Sequence, residues 1–381
     1  MKNAESSQPV FYRPELDCLR FFAFLSVFVS HAFSISPEYY TQRGFSSALS
    51  IWISKAIASG GLGVVLFFVL SSYLITELLI RETDRMGSID IKSFYIRRAL
   101  RIWPLYFVFI VLIYLILPQE SPYSLKTGFF ISMLLFAGNW ASVFWGGMAE
   151  SVAGPLWSIS VEEQFYLAWP LILSRIGVNH LKKACISLIV LANAVRIIME
   201  KKGAGFVAFW CSTATWLDAI AAGALIALWL RGTTPQRSLK LRWLLGVGGL
   251  CLSVTTVRFS RSFIYPDIIF FPLTIIGSCM VLLAVLGSQF RNSVLIHLGR
   301  MSYGLYVVHA AALALASLIF VKYTVRHAVV GLAITIVMGA ISYYCLEKPF
   351  LRLKRRFTYV VSEPTVMEEV PSPTVSEGAA V

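Results

Sequence analysis

The chain has 381 residues, 57% of them hydrophobic and only 14% charged, with a mean hydropathy of +0.72. Soluble domains carry roughly a quarter charged residues, so a water-soluble globular fold is excluded. The net charge of +13 is spread over short loops beside apolar blocks, as membrane topology and anionic headgroups favour, rather than gathered on the single basic face of a nucleic-acid binder.

An apolar block of ~20 residues is what a helix needs to cross ~30 Å of hydrocarbon. Long blocks, rather than ~10-residue alternating stretches, argue for helices over a barrel. Residues 1–17 are polar, with Glu5, Arg13, Glu15 and Asp17, and no small-residue cleavage site follows the first apolar run; the first helix is therefore expected to be retained. Spans are predicted near 18–36, 58–80, 102–118, 157–175, 184–200, 206–230, 242–257, 267–287, 302–322 and 327–346. The fold class is all-α, a polytopic membrane helix bundle of about ten transmembrane helices.

An eleventh apolar stretch, 128–140, ends in Gly138-Asn139-Trp140. If it does not cross and the N-terminus is cytoplasmic, 23 of the 33 Lys and Arg fall on the cytoplasmic side. If it does cross, Arg175, Lys182, Lys183 and the Arg352/Lys354/Arg355/Arg356 cluster move outside, against the positive-inside rule. The stretch is therefore read as re-entrant or interfacial, with both termini cytoplasmic. The tail after Phe357 is rich in Pro, Ser, Glu and Val and is expected to be disordered. The six cysteines stand singly, without Cys-x-x-Cys or Cys/His spacing, so neither a disulfide framework nor a metal site is indicated.

Four constellations carry chemistry. In the first apolar helix, Arg20 and His31 are eleven residues apart, which leaves ~20° of rotational offset, and Asp17 lies about 40° off the same line. All three share one face, with His31 ~16 Å further along; this sets the imidazole near mid-membrane and the guanidinium near the cytoplasmic entrance. Ionisable residues at such depth mark functional sites by default. Next, Arg98 and Arg101 are neighbours on a helix surface at the start of the third span, suited either to phosphate recognition or to ordinary positive-inside anchoring. The third cluster is Pro155-Leu-Trp157-Ser-Ile-Ser-Val-Glu162-Glu163-Gln-Phe-Tyr166. Its adjacent carboxylates project to different faces, so at most one readily enters a bundle cavity; the bland alternative is an acidic helix N-terminus. Finally, Ser302, Tyr306 and His309 share one helical face, serving either function or packing. Gly60-Gly-Leu-Gly63 before Phe67-Phe-Val-Leu-Ser-Ser-Tyr73 lacks the Lys of a phosphate-binding loop and reads as close helix packing. His180, His297 and His327 lie at loop or helix-end positions without evident chemistry.

Taken in order, these segments resemble the membrane-bound acyltransferase family 3. The matching features are the Arg20–His31 spacing, Phe67-Phe-Val-Leu-Ser-Ser-Tyr-Leu-Ile-Thr76, Arg97-Arg98-Ala-Leu-Arg101-Ile-Trp-Pro104, Leu156-Trp-Ser-Ile-Ser-Val-Glu-Glu-Gln-Phe-Tyr166, Ser302-Tyr-Gly-Leu-Tyr306 and Glu347-Lys-Pro-Phe350. They span about residues 12–356. Cys18 and Ser72 stand where family members usually have glycine, small changes expected to be tolerated at helix contacts.

The resemblance implies a multi-pass enzyme of the bacterial inner membrane. It would move an acyl group, by default acetyl, from cytoplasmic acetyl-CoA or another acyl-CoA to a hydroxyl of a cell-envelope or exported carbohydrate or glycolipid. It further implies an N-terminal segment over 1–17, an acyltransferase domain over 18–357 and a tail over 358–381. His31 would be the essential catalytic residue. Arg20, Arg98 and Arg101 would serve donor binding or the site's architecture. Glu162 or Glu163 would orient the acceptor or the base, with Asp17, Tyr73, Trp157, Tyr306 and His309 as substrate or supporting residues. A neutral imidazole at His31 suits deprotonation of the acceptor hydroxyl or transient carriage of the acyl group. The rival class is a secondary transporter or flippase, since intramembrane charges also mark substrate paths; the internal symmetry common in transporters is not visible here.

Overall fold

The computed structural model describes residues 11–145, 151–259 and 266–358. The N-terminal segment read as 1–17 and the tail read as 358–381 lie largely outside these residues. The described chain is all helical, with no strand. It opens with α1 (Pro14–Ala32), α2 (Pro37–Thr41) and α3 (Ser47–Ala58), which runs through a 3-10 turn into α4 (Gly63–Met86). Then come α5 (Ile91–Ile116), α6 (Thr127–Leu134), α7 (Gly138–Trp145) and the long α8 (Trp157–Lys201). The second half holds α9 (Phe206–Cys211), α10 (Leu217–Leu230), α11 (Leu239–Phe259), α12 (Pro266–Val285), α13 (Ser293–Arg300), α14 (Ser302–Ala316), α15 (Val325–Ser342) and α16 (Lys348–Lys354).

Among the described residues, five stretches are long and apolar enough to cross a membrane: Ser47–Met86, Ile91–Ile116, Thr213–Leu230, Ile268–Val285 and Val325–Lys354. Large apolar side chains such as Leu115, Ile116, Trp243, Leu244, Leu318 and Ile319 face outward, an arrangement that suits hydrocarbon and not water. The chain is a membrane protein.

Local chemistry sets several element ends. Pro14 opens α1 at a position where its missing N–H is not needed, and Glu15 and Asp17 sit at the positive end of the helix. Asp90 caps α5 by accepting from the Ser93 amide at 2.9 Å. The stretch 128–140 is two short helices, α6 and α7, joined through Phe136 at φ 51. Each has 8 residues, about 12 Å of rise, well short of a bilayer. The predicted spans 157–175 and 184–200 are halves of α8, separated by the single residue Gly177 at φ 67 and ψ 166. That conformation is open to glycine and strained for any other residue.

Close backbone contact fixes the first helix. A Cβ at Gly63 would lie 2.3 Å from the Ala23 carbonyl, and one at Gly60 2.2 Å from that of Ser26; these glycines serve helix packing, as their motif suggests. On the other side, Gly299 of α13 abuts the Asp17 carbonyl so closely that a Cβ would stand 1.9 Å from it. α1 is therefore held between two elements, and the turn carrying Asp17 is the one that meets α13. One expectation needs correction: His31, expected to be buried, stands in the last turn of α1, which ends at Ala32, and its side chain is exposed. The physical reason is that Phe33 leaves the helix in an extended conformation (φ −119, ψ 157).

Candidate active site

Four of the long helices and α14 enclose one partly open cavity of about 100 Å³ of solvent-centre volume. Arg20 enters from α1, Ser71 from α4, Arg98 and Arg101 from α5, Ser158, Glu162 and Tyr166 from α8, and Ser302, Tyr303 and Tyr306 from α14. Apolar Val64, Phe67, Phe68 and Leu74 complete one wall.

Each polar group is placed by a neighbour. Arg20 donates to Asp17 at 2.9 Å. Asp17 also accepts from the Tyr12 hydroxyl at 2.9 Å, which in turn accepts from Arg300 at 2.9 Å. Glu162 accepts from Ser71 at 2.8 Å and from Tyr166, one turn along the same helix, at 3.0 Å. Tyr303 donates to the Ile102 carbonyl at 2.7 Å. Arg98 is different. Its guanidinium lies 5.6 Å from the Phe94 ring and 5.5 Å from that of Tyr166, and its buried Nε has no hydrogen-bond partner among the described residues. The cavity wall thus carries three guanidinium groups and one carboxylate, and even with Asp17 paired to Arg20 the balance is cationic, an arrangement that attracts an anion.

Beyond Tyr306 lies a second polar feature. The Tyr306 hydroxyl is held by Ser158 at 2.7 Å and by the Pro155 carbonyl at 2.9 Å, and its ring is 5.4 Å from that of His309. His309 is fully buried. Its Nδ1 meets the Tyr306 carbonyl at 2.6 Å, and its Nε2 meets Nδ1 of His31 at 2.9 Å. The two imidazoles stack with centroids 5.0 Å apart. The exposed His31 and the cavity are therefore linked through His309 and Tyr306.

A profile of the acyltransferase domain matches residues 13–344. The chain belongs to this acyltransferase family. The chain resembles an O-acetyltransferase-named protein of Staphylococcus aureus strain MSSA476, 26% identical over 89% of this chain and 57% of the relative. A Bacillus subtilis protein provisionally named as a peptidoglycan O-acetyltransferase is 28% identical over 89% of this chain and 55% of its own length. The peptidoglycan O-acetyltransferase of Listeria monocytogenes is 28% identical over 89% of this chain and 56% of its own. The chain thus spans little more than half the length of these relatives. No solved structure matches it.

Of the residues singled out in the sequence, the fold gathers Arg20, Arg98, Arg101, Glu162 and Tyr306 at the cavity. His31 and His309 pair beside it, and Asp17 backs Arg20. Three others lie elsewhere. Glu163 turns away from Glu162 and accepts from the Trp103 indole at 2.9 Å. Trp157 packs in an aromatic cluster 6.3 Å from Phe68 and 5.9 Å from Trp210. Tyr73 is buried in α4 and does not line the cavity.

Sequence reasoning missed Ser71, Tyr166 and Tyr303. Tyr166 was within reach, because it stands four residues after Glu162 and so on the same face; Ser71 and Tyr303 depend on which helices become neighbours. His180 and His327 bond backbone carbonyls, at 2.9 and 3.1 Å, and His297 meets the Tyr344 hydroxyl at 3.0 Å. Among the described residues no group of His, Cys, Asp or Glu is arranged to hold a metal ion.

Proposed function

We propose that this chain is an integral membrane O-acyltransferase that moves an acyl group, acetyl by default, from a coenzyme A thioester to a carbohydrate hydroxyl outside the cell membrane. The single observation that carries the reading is the placement of an exposed, hydrogen-bonded imidazole next to a cationic cavity within a family of acyltransferases. Peptidoglycan is the acceptor class favoured by the relatives' names.

The donor's phosphates suit the Arg20, Arg98 and Arg101 end of the cavity, where the Nε of Arg98 has no acceptor among the described residues. A bound thioester supplies an acyl carbon open to attack and a sulfur able to leave. Past Tyr306, outside the cavity lining, His31 takes the proton of the attacking hydroxyl and returns it to the departing sulfur. Glu162 holds Tyr166 and Ser71 in place and balances part of the cationic field. The topology we propose has ten crossings in a bacterial inner membrane, with α6 and α7 not crossing, α8 crossing twice about Gly177, and both termini cytoplasmic. The positive-inside bias and the short lengths of α6 and α7 support it.

The test is acyl transfer by the purified full-length chain in liposomes, supplied with labelled acetyl-CoA and muropeptide or glycan acceptors. Wild type forms an ester-linked product, and His31→Ala loses at least about 100-fold in turnover while inserting normally. Substrate translocation without ester formation would replace this reading with a transporter, and undiminished turnover by His31→Ala would remove the assigned base.

A further inference from the structure

His309 does not line the cavity, and its ring is closed off from solvent. Its two hydrogen bonds nevertheless determine which nitrogen of His31 can act as a base. A carbonyl oxygen only accepts, so the Nδ1 of His309 that meets the Tyr306 carbonyl at 2.6 Å carries the proton. No anion lies among the described partners of His309, which are a carbonyl and an imidazole. An uncompensated charge at a fully buried site is costly, so the ring is neutral and its Nε2 holds a lone pair. The Nδ1 of His31, 2.9 Å away, must then be the N–H that points at that lone pair. Neutral His31 is left with its own lone pair on Nε2, which has no hydrogen-bond partner among the described residues and belongs to an exposed side chain.

We propose that His309 is a positioning residue that locks His31 in the tautomer whose Nε2 accepts the proton of the attacking hydroxyl. The proposal rests on the O-acyltransfer reading for its catalytic consequence, though not for the tautomer itself. As the hydroxyl oxygen bonds to the acyl carbon, its proton passes to His31 Nε2. The ring becomes cationic, and its Nδ1–H bond to His309 shortens and strengthens as a charge-assisted contact. When the carbon–sulfur bond breaks, the sulfur leaves as thiolate and takes that proton, and His31 is neutral again. The lone pair of His309 thus interacts more strongly with the transition state than with the resting ring, so its loss falls on kcat rather than on donor binding. The backbone carbonyl of Tyr306 anchors this relay while its phenol faces the cavity, which ties the orientation of the base to the wall of the donor site.

The experiment combines spectroscopy with kinetics on the full chain in liposomes. Histidine labelled with nitrogen-15 reports which ring nitrogen is protonated, and the difference spectrum against His31→Gln isolates the His31 signals. Wild type shows His31 protonated on Nδ1 and bare on Nε2. His309→Phe keeps a ring in the packing and removes the lone pair. It shifts His31 toward the form protonated on Nε2 and lowers kcat about 100-fold, with the donor KM changed by less than about twofold. His309→Gln, whose side-chain oxygen reaches the position of Nε2, returns kcat to within about tenfold of wild type. A wild-type His31 protonated on Nε2 overturns the proposal. So does full turnover by folded His309→Phe, or a folded Gln variant no better than Phe. Should His31→Ala retain turnover, the catalytic reading fails by itself, and the wild-type spectrum still decides the tautomer.

Discussion

Two guanidinium groups, those of Arg196 and Arg98, sit in the same bundle under opposite conditions. Arg196 is fully buried. It grips Asp218 with both terminal nitrogens, at 2.7 and 2.6 Å, donates to the Thr215 carbonyl, and lies 4.6 Å from the Phe271 ring. Arg98 faces the cavity between two aromatic rings, and no carboxylate among the described residues pairs with its terminal nitrogens; the Nε of each arginine is buried without an acceptor there. The first is a closed ion pair joining α8 to α10, and the second is an open set of donors. Intramembrane charge alone therefore does not identify a site. What separates a strut from a binding group is whether the fold already supplies the counter-ion.

The comparison is broken most directly at Arg196. Arg196→Met leaves Asp218 buried without its partner, which costs about 3–5 kcal/mol. Thermal unfolding in detergent should register a large loss, and Arg196→Met combined with Asp218→Leu should recover much of it. A variant that melts like wild type would show that the pair is no strut.

Arg98→Gln tests the opposite case. Losing the ring contacts costs only about 0.5–1 kcal/mol of stability. Losing a charge-assisted bond to a donor phosphate costs about 1.5–3 kcal/mol of binding, a rise in donor KM of roughly 10- to 150-fold. Steady-state kinetics beside a melting curve separates the two. Equal destabilisation by Arg98→Gln and Arg196→Met would erase the distinction.

The adjacent carboxylates sharpen it further. Glu162→Gln weakens two hydrogen bonds at the cavity wall, from Ser71 and Tyr166, and removes the negative charge facing three guanidinium groups. A fall in kcat/KM of about tenfold follows if roughly 1.4 kcal/mol is lost. Glu163→Gln keeps an oxygen for the Trp103 indole, and its effect on kcat/KM stays under about threefold. Reversal of that order would mean that the inward carboxylate is not the working one.

Periodicity made much of this site legible. The shared face of Asp17, Arg20 and His31, the Arg98/Arg101 pair and the Ser302/Tyr306/His309 stripe all follow from helical spacing, and hydropathy blocks located most of the long helices. The end of α1 was not legible, because the apolar pattern runs on through Phe33 while the backbone leaves the helix there. Nor was α13, whose apolar run Val294-Leu295-Ile296 is only three residues long and is followed by His297 and Arg300; tertiary contact with the Asp17 turn holds it. The adjacency of His31 and His309 joins positions 278 residues apart, and only the packing of α14 on α1 creates it. Glu162 and Glu163 were indistinguishable by type, and their neighbours on α4 and α5 separate them.

The smallest expected effect belongs to Ser72, at a position where the family resemblance leads one to expect glycine. Its hydroxyl donates to the Ile220 carbonyl across the α4–α10 contact, and the residue is fully buried. That contact is tight, since a Cβ at Gly223 would lie 2.2 Å from the Val69 carbonyl and 3.0 Å from the Ser72 Cβ. Ser72→Ala removes one satisfied hydrogen bond and leaves the helices in register, a loss of about 0.5–1.5 kcal/mol. Ser72→Gly adds up to about 1 kcal/mol through backbone entropy in a helix interior, so it should melt below the alanine variant. Both should keep the donor KM of wild type, because Ser72, like Arg196, spends its polar group on the fold. A shift in donor KM as large as that of Arg98→Gln would mean that a satisfied group also governs binding, and donor saturation would no longer tell strut from site.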